Sequence, residues 1–338
     1  VDVRIVGIAG RAVVPGDPVA GRVGQNAAVI AALCGGVGAA RFLHGLVDVM
    51  DPRQVVAVVN TGDDVVLHGL HVSPDLDTVT YTLAGAVSGA QGWGLEGETW
   101  AAMGALARYP SSLAWFNLGD RDLATHLFRT QRLREGATLS DVTAEIARAW
   151  DVAVTVLPMS DDRVETRMDV DGEGEIGFQE YFVARRHAVP VRGVRFEGAG
   201  GARPAPGVLE ALGEAERVVI CPSNPIVSIG PVLAVPGVRA VVEAGRDRVV
   251  AVSPIVAGAA LKGPADRLLA ELGHEVSVVG VARLYAPLAA TLVVDEADAA
   301  LAPAVESQGM RCVVAPTIMR GPAEAAALAR VVLGDAAR

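Results

Sequence analysis

The chain has 338 residues, 51% of them apolar, and a formal net charge of −10. That content is ample for a buried core, and the acidic balance excludes a nucleic-acid surface, which needs clustered Lys and Arg to displace counterions from phosphate. Cys34, Cys221 and Cys312 are odd in number and far apart, so neither a zinc site nor a disulfide framework is expected, and a cytoplasmic setting fits. No apolar run reaches the roughly 20 residues that span a bilayer, so no membrane partner is expected.

Residues 1–27 read as an N-terminal extension. Val3 to Gly10 is strand-like but leads into turn chemistry at Arg11 to Pro18, and an edge strand, a disordered arm and a mis-started reading frame all fit. From Ala28 short apolar runs alternate with helical stretches, the pattern of an α/β protein with a Rossmann-like, mostly parallel sheet. Ala28 to Cys34 is a buried strand, Gly35 to Gly38 a tight turn, Ala39 to Met50 a helix and Gln54 to Asn60 a second strand. Between Thr78 and Trp150 strand character disappears, and helix-period segments recur at Glu96 to Tyr109, Leu123 to Leu133 and Leu139 to Ala149. Residues 77–150 are therefore a helical insert, with 28–76 and 151–338 forming the core. Val152 to Leu157 restores a strand, and Val164 to Val170 with Ile176 to Val183 reads as a β-hairpin. Further strands are expected at Val218 to Cys221, Arg248 to Val252, Val276 to Val279, Thr291 to Val294 and Cys312 to Val314, with a mobile loop over Gly198 to Gly207.

A strand feeding Gly35, Gly36, Val37 and Gly38 into a helix aims backbone N–H groups and the positive end of a helix dipole at one point, which suits a phosphate. A turn that serves packing alone is the alternative. No Walker A lysine follows, and Arg41 stands where a dinucleotide fold needs its third glycine. The loop Asn60-Thr61-Gly62-Asp63-Asp64 follows the second strand and belongs at the same sheet edge. Two adjacent acids beside a diphosphate call for a divalent cation between them, although an Asx-type turn also accounts for them. Pro74 to Thr78 adds Asp75 and Asp77, which share a side if that segment is extended; the alternative is N-capping of the following helix by Asp77 or Thr78.

Gly119-Asp120-Arg121-Asp122 opens a helix in which Asp122 and His126 are an i,i+4 pair, with Arg129 near the same face. Capping or substrate binding would each use such residues. Cys221 to Pro231 is a proline-stiffened loop carrying Ser223, Asn224 and Ser228, either a second phosphate cradle or a rigid crossover. His68 and His71 flank the acidic loops without a paired zinc pattern.

With these residues assembled, the chain resembles the 2-phospho-L-lactate transferase family of coenzyme F-420 biosynthesis, called phosphoenolpyruvate transferase in actinobacteria. The resemblance runs from about Ala28 to Leu333. It rests on Gly35 to Leu43, Asn60 to Asp64, Pro74 to Thr78, Leu118 to His126, Leu157 to Asp162 and Pro222 to Pro231, in that order. It implies a Rossmann-like core with a helical insert, often dimeric, that uses Mg²⁺. The implied reaction moves an organophosphate from a guanosine diphosphate ester to the ribityl hydroxyl of the deazaflavin Fo, releasing GMP. Carried over, Gly35, Gly36 and Gly38 with Ser223, Asn224 and Ser228 meet the nucleotide phosphates, and Asp63, Asp64 and Asp75 serve the metal. Asp77, Asn117, Asp120, Arg121 and His126 face Fo; Asn117 stands where some relatives have a basic residue. Asp77, ahead of Asp63, is expected to accept the hydroxyl proton. High Ala, Val and Arg usage tilts the donor towards phosphoenolpyruvyl over phospholactyl or phosphoglyceryl. The rival readings are a non-catalytic nucleotide sensor of the gluconeogenesis-factor type and, weakened by Arg41, a nicotinamide-dependent oxidoreductase.

Overall fold

Seven short runs rich in Val, Ile, Leu and Ala line up in parallel register: β1 (Ile30–Cys34), β2 (Val55–Val59), β3 (Thr155–Pro158), β4 (Arg217–Ile220), β5 (Val249–Val252), β6 (Thr291–Val294) and β7 (Arg311–Val314). The computed structural model describes residues 30–89, 92–110 and 115–334. The expected extension over 1–27 and the first two residues of the expected first strand lie outside them.

The strand order is β3-β2-β1-β4-β5-β6-β7. Strands added outward from β1 in both directions leave a crevice where the order reverses, beyond the C-terminal ends of β1 and β4, and open α/β sheets bind their ligands in such a crevice. The central strands β1, β2 and β5 are apolar throughout because both faces of the sheet are covered. Ala31 and Leu33 enter one core with Val218, Ile220 and Ala251, while Ile30, Ala32 and Cys34 enter the other with Val55, Ala57 and Val59. The period-2 alternation that usually separates core from solvent here separates two cores.

On the second face α1 (Gly36–Val47) packs against the C-terminal helix Pro322–Leu333 and against α2 (Pro74–Leu83). Between α2 and β3 come α3 (Ala101–Leu106), α4 (Asp122–Arg134) and α5 (Leu139–Ala149). The helical segment expected between β2 and β3 is thus present, with its first helix starting at Pro74 and belonging to the flank of the sheet. A capping box at Thr138 and Asp141 starts α5 at the expected residue.

Four local expectations differ from what is observed. Val276 to Val279 is no strand. The Ser277 side chain accepts from the Val279 and Gly280 N–H groups and starts the helix Val278–Tyr285, so a local cap overrides a β-branched run too short to decide its own period. The hairpin's second strand stops at Gly177 and is followed by a π-helical turn at Glu180–Ala184, where Phe178 stacks on Phe182 with centroids 5.5 Å apart. Glu165–Val170 is then the middle strand of three, flanked by Gly174–Gly177 and Val191–Glu197. The glycine-rich segment 198–207 buries Ala199, Ala202 and Ala205 in the core, so it is packed rather than loose.

Among the described residues no single helix is long and apolar enough to cross a membrane; one pair, Pro225–Ala234 and Val238–Ala244, has the composition but is bent by 98°.

The close approach of α1 to the C-terminal helix depends on Gly45, where an added Cβ would lie 2.2 Å from the Ala325 carbonyl carbon. Gly to Ala in a helix interior ordinarily gains about 1 kcal/mol. Overpacking costs about 1–3 kcal/mol and here opposes that gain from backbone to backbone. Gly45→Ala is accordingly expected to lower the urea midpoint; a raised midpoint would mean that the two helices part easily.

Candidate active site

The crevice between β1 and β4 is built from backbone first. Gly35 is extended, α1 starts at Gly36 with φ 71°, and the Gly36 N–H donates to Asp75 Oδ1 at 2.7 Å. The N–H groups of the rest of the first turn have no acceptor within the helix, and they carry its positive end. Across the crevice the Ser223 hydroxyl donates to the Gly35 carbonyl at 2.8 Å. Ser228 also packs on Gly35, and a Cβ at Gly38 would lie 2.3 Å from the Pro222 carbonyl oxygen. Glycines at 35 and 38 are therefore needed for β4 and its loop to close on the turn. Asn224 Oδ1 accepts from the Ile226 and Val227 N–H groups, and its amide nitrogen is buried with no partner among the described residues. An acceptor such as a phosphate oxygen would satisfy it.

Next to this cradle stand four carboxylates. Asn60, buried at the end of β2, donates through Nδ2 to Asp63 Oδ1 at 3.1 Å and Asp75 Oδ2 at 3.0 Å, and its Oδ1 accepts from the Gly62 N–H at 2.8 Å. Gln179, from the π-helical turn, donates to the Asp63 carbonyl at 3.2 Å and to Asp63 Oδ2 at 3.3 Å. Ser73 donates to Asp64 Oδ2 at 2.6 Å, and Asp64 Oδ1 is buried without a partner among the described residues.

Asp75 and Asp77 do not share a side. Pro74 to Thr78 is the first turn of α2 instead of an extended segment, and two residues of helix rotate a side chain by about 200°. Ser73, not Asp77 or Thr78, is the N-cap residue. Asp75 turns to Asn60 and the glycine loop, whereas Asp77 turns to Arg129, which grips both its oxygens, Nη1 at 3.1 Å from Oδ2 and Nη2 on Oδ1. Arg129 is 1% exposed. His126 lies in the same buried knot, with Nδ1 3.7 Å from Asp77 Oδ2 and Nε2 3.2 Å from Asp122 Oδ2. The Tyr81 hydroxyl donates to Asp122 Oδ1 at 2.6 Å.

Electrostatics divides the four acids. Burial raises Asp63 well above the usual carboxylate range, and the charges of Asp75 and Asp64 add to it. Burial does the same to Asp64 against the Ser73 hydrogen bond, and lifts Asp75 from 3.8 to about 6 against those from Asn60 and Gly36. Asp77 is also raised by burial, with Arg129 and His126 opposing. Among the described residues only Asp77 of the four makes an ion pair. Among the described residues Asp63, Asp64 and Asp75 thus form a cluster of acids with no ion pair, although the charge of Arg129 acts on Asp64, and one carboxylate oxygen is unsatisfied. A hard divalent cation fits that donor set. The trio Asp77, Asp122 and His126 brings ligand atoms within 4.8 Å of one another, but the Arg129 guanidinium already neutralises it.

The five residues expected at an acceptor do not share one surface. Asp77 and His126 are sealed in the Arg129 knot. Asp120 accepts from Thr99 Oγ1 and from the Ala101 and Ala102 N–H groups, so its carboxylate starts α3. Arg121 is exposed and donates to the Glu96 carbonyl. Asn117 lines an apolar cleft of about 290 Å³ with His68, Trp100, Met103 and Leu106.

A profile of the 2-phospho-L-lactate transferase (CofD) family matches residues 30–317. The chain belongs to this family. A phosphoenolpyruvate transferase of Kitasatospora aureofaciens is 47% identical over 309 residues, covering 90% of this chain and 96% of that protein. One of Streptomyces griseus is 48% identical over 309 residues, covering 90% and 97%. Among solved structures, a UPF0052-family protein of Bacillus halodurans superimposes with a TM-score of 0.58 at 15% identity, over 92% of this chain and all of that one. That likeness establishes the fold alone. In this member of the 2-phospho-L-lactate transferase family, three contributors carry no chemical signal of their own in the sequence. Asn60 is a neutral residue in an acidic loop, Gln179 arrives from a distant turn, and Tyr81 sits mid-helix; only the folded chain makes them partners of the acids.

The raised Asp75 gives a pH signature. The native protein holds this proton more tightly than the unfolded chain, so the stability it contributes is fully present below about pH 4 and is lost as pH rises through about 6, on the order of 3 kcal/mol. In divalent-free buffer, Asp75→Asn should flatten that stretch of the stability profile from urea titrations. An unchanged slope would assign the titration elsewhere.

Proposed function

We propose that the chain transfers a phosphoenolpyruvyl group, or a 2-phospholactyl group, from a guanosine diphosphate ester to the ribityl hydroxyl of the deazaflavin Fo, in coenzyme F-420 biosynthesis. Family membership and the phosphoenolpyruvate transferase names of the relatives support the reaction class. The observation that carries the reading is the meeting, at one sheet edge, of a helix N-terminus suited to phosphate with three carboxylates that make no ion pair among the described residues.

The glycine loop, Ser223, Asn224 and Ser228 hold the diphosphate of the donor. Mg²⁺, held by Asp64 and Asp75 beside Asp63, would offset its charge and that of the departing GMP. The Fo hydroxyl oxygen attacks the distal phosphorus, the bond from that phosphorus to the bridging oxygen breaks, and GMP leaves with the electron pair. The hydroxyl proton passes to a carboxylate. Asp77 is closed off by Arg129, so this role falls to Asp63, which the Asn60 and Gln179 amides hold at the edge of the acidic patch. Asp77, Asp120 and His126 act by position: the first and last fix α4 against α2, and Asp120 sets α3. The apolar cleft beside Asn117 and Trp100 is wide enough to admit part of a planar aromatic acceptor, with Arg121 outside it. The homodimer implied by the family resemblance and a cytoplasmic setting belong to the same reading.

Incubation with Fo, Mg²⁺ and the enolpyruvyl and lactyl guanosine diphosphates in separate reactions, followed by mass detection, should yield a phosphorylated Fo ester and GMP with at least one donor. Asp63→Asn should nearly abolish turnover; activity within about tenfold of wild type, roughly 1.4 kcal/mol in barrier, would remove Asp63 from the chemistry. Nucleotide binding with Fo never modified would leave the non-catalytic sensor as the correct reading.

A further inference from the structure

Gln179 reaches Asp63 from a stretch of chain whose backbone is unusual. After Gly177 comes the π-helical turn Glu180–Ala184, closed by the Arg185 N–H donating to the Glu180 carbonyl at 2.9 Å. Arg186 and His187 follow with φ of 50° and 42°, in the left-handed region that residues other than glycine avoid. Helical turns of the π type are rare and concentrate at functional sites, and left-handed non-glycine residues persist only where their surroundings hold them.

Two sets of contacts hold this stretch. Phe178, Phe182 and His187 form one stack, with successive ring centroids 5.5 Å apart and interplanar angles of 14° and 19°. The helix Ala265–Glu271 grips the segment that follows the turn. Arg267 Nη1 donates to the His187 carbonyl at 2.5 Å and Nη2 to the Ala188 carbonyl at 3.1 Å, while Glu271 Oε2 accepts from the Val191 N–H at 2.8 Å. Arg267 Nε donates to Glu271 Oε1 at 2.5 Å, so the two gripping side chains are tied to each other. Beneath them Tyr181, Val191 and Leu268 share a small core with Val227, whose N–H is held by Asn224 of the phosphate cradle.

What this stretch presents to the site is the Gln179 side chain, buried, with its amide nitrogen on both the carbonyl and the carboxylate of Asp63. Asp63 is thereby held on each carboxylate oxygen by a neutral amide, Asn60 on Oδ1 and Gln179 on Oδ2. Two donors from separate elements fix the plane of the carboxylate, which one donor leaves free to turn, and they add no charge. We propose that Gln179 is a positioning residue of the transfer reaction, orienting Asp63 to receive the hydroxyl proton, and that the π-helical turn, clamped by Arg267, sets Gln179. This rests on the transferase reading given above.

Steady-state kinetics and hydrogen exchange read by mass spectrometry test it together. Gln179→Leu keeps the bulk and removes the donor; it should lower kcat at least about tenfold with KM for both substrates within about threefold, because a misplaced proton acceptor slows the chemical step and leaves binding in place. Arg267→Met should lower kcat about fivefold and, in the Gln179→Leu background, lower it no further, since it acts through the same side chain. If melting shows Arg267→Met to be unfolded, Phe182→Leu takes its place, keeping apolar bulk while breaking the stack. Exchange over the peptide containing Gly62 to Asp64 should quicken at least about threefold in each single variant, and no more than that in the double. A folded Gln179→Leu with kcat within about threefold of wild type would overturn the positioning role, and effects that multiply in the double variant would overturn the clamp. If wild type modifies Fo with neither donor, the transferase reading falls and exchange decides alone. Faster exchange at Gly62 to Asp64 then keeps Gln179 as the residue that fixes Asp63, and unchanged exchange removes it.

Discussion

The carboxamide of Asn60 holds the site together. A single buried amide nitrogen donates to Asp63 and Asp75, and the amide oxygen fixes the turn at Gly62. Through Asp75 the constraint extends to the Gly36 N–H, so the end of β2, the acidic loop, the start of α2 and the start of α1 share one registration. Asparagine suits the place because it presents two donors and an acceptor on a short neutral side chain. Aspartate there would add a fourth charge and remove both donors.

Burying three carboxylates beside one another is unfavourable, as the raised proton affinities of Asp63, Asp64 and Asp75 record. The fold treats its other acids differently. Asp77 is gripped by Arg129, and Asp122 is held below the usual carboxylate range because, although burial raises it, the hydrogen bond and charge of His126 and the Tyr81 hydroxyl outweigh that. The contrast separates a structural knot from a functional patch within one cluster of helices. In the proposed reaction, acids held close together in the free protein would be compensated by a cation and the diphosphate it accompanies.

Much of the fold was legible because parallel strands covered on both faces are continuous apolar runs, and six of the seven were read close to their observed limits once Val276 to Val279 is set aside. β3 begins three residues later than expected, at Thr155. The ribbon Val65–Leu67 with Leu70–Val72 has strands of three residues, too short for any periodicity. Val191–Glu197 alternates Arg and Glu with apolar residues on a half-buried sheet, an alternation weaker than the glycine signal that follows it at 198–207. At the site, the glycine loop and Asp63 and Asp64 were readable from their place after β1 and β2. The split between Asp75 and Asp77 was not, because it depends on whether Pro74 begins a helix or continues a strand, and proline fits both.

The central claim is that Asn60 preorganises a carboxylate patch to hold a divalent cation against the donor's phosphates. Its most direct measure is the affinity of Asn60→Ala for Mg²⁺ in the presence of saturating GDP, by calorimetry, with thermal melting to establish that the variant is folded. The account predicts Mg²⁺ affinity at least about tenfold weaker than wild type, a change of roughly 1.4 kcal/mol. A folded variant with wild-type Mg²⁺ affinity would contradict it.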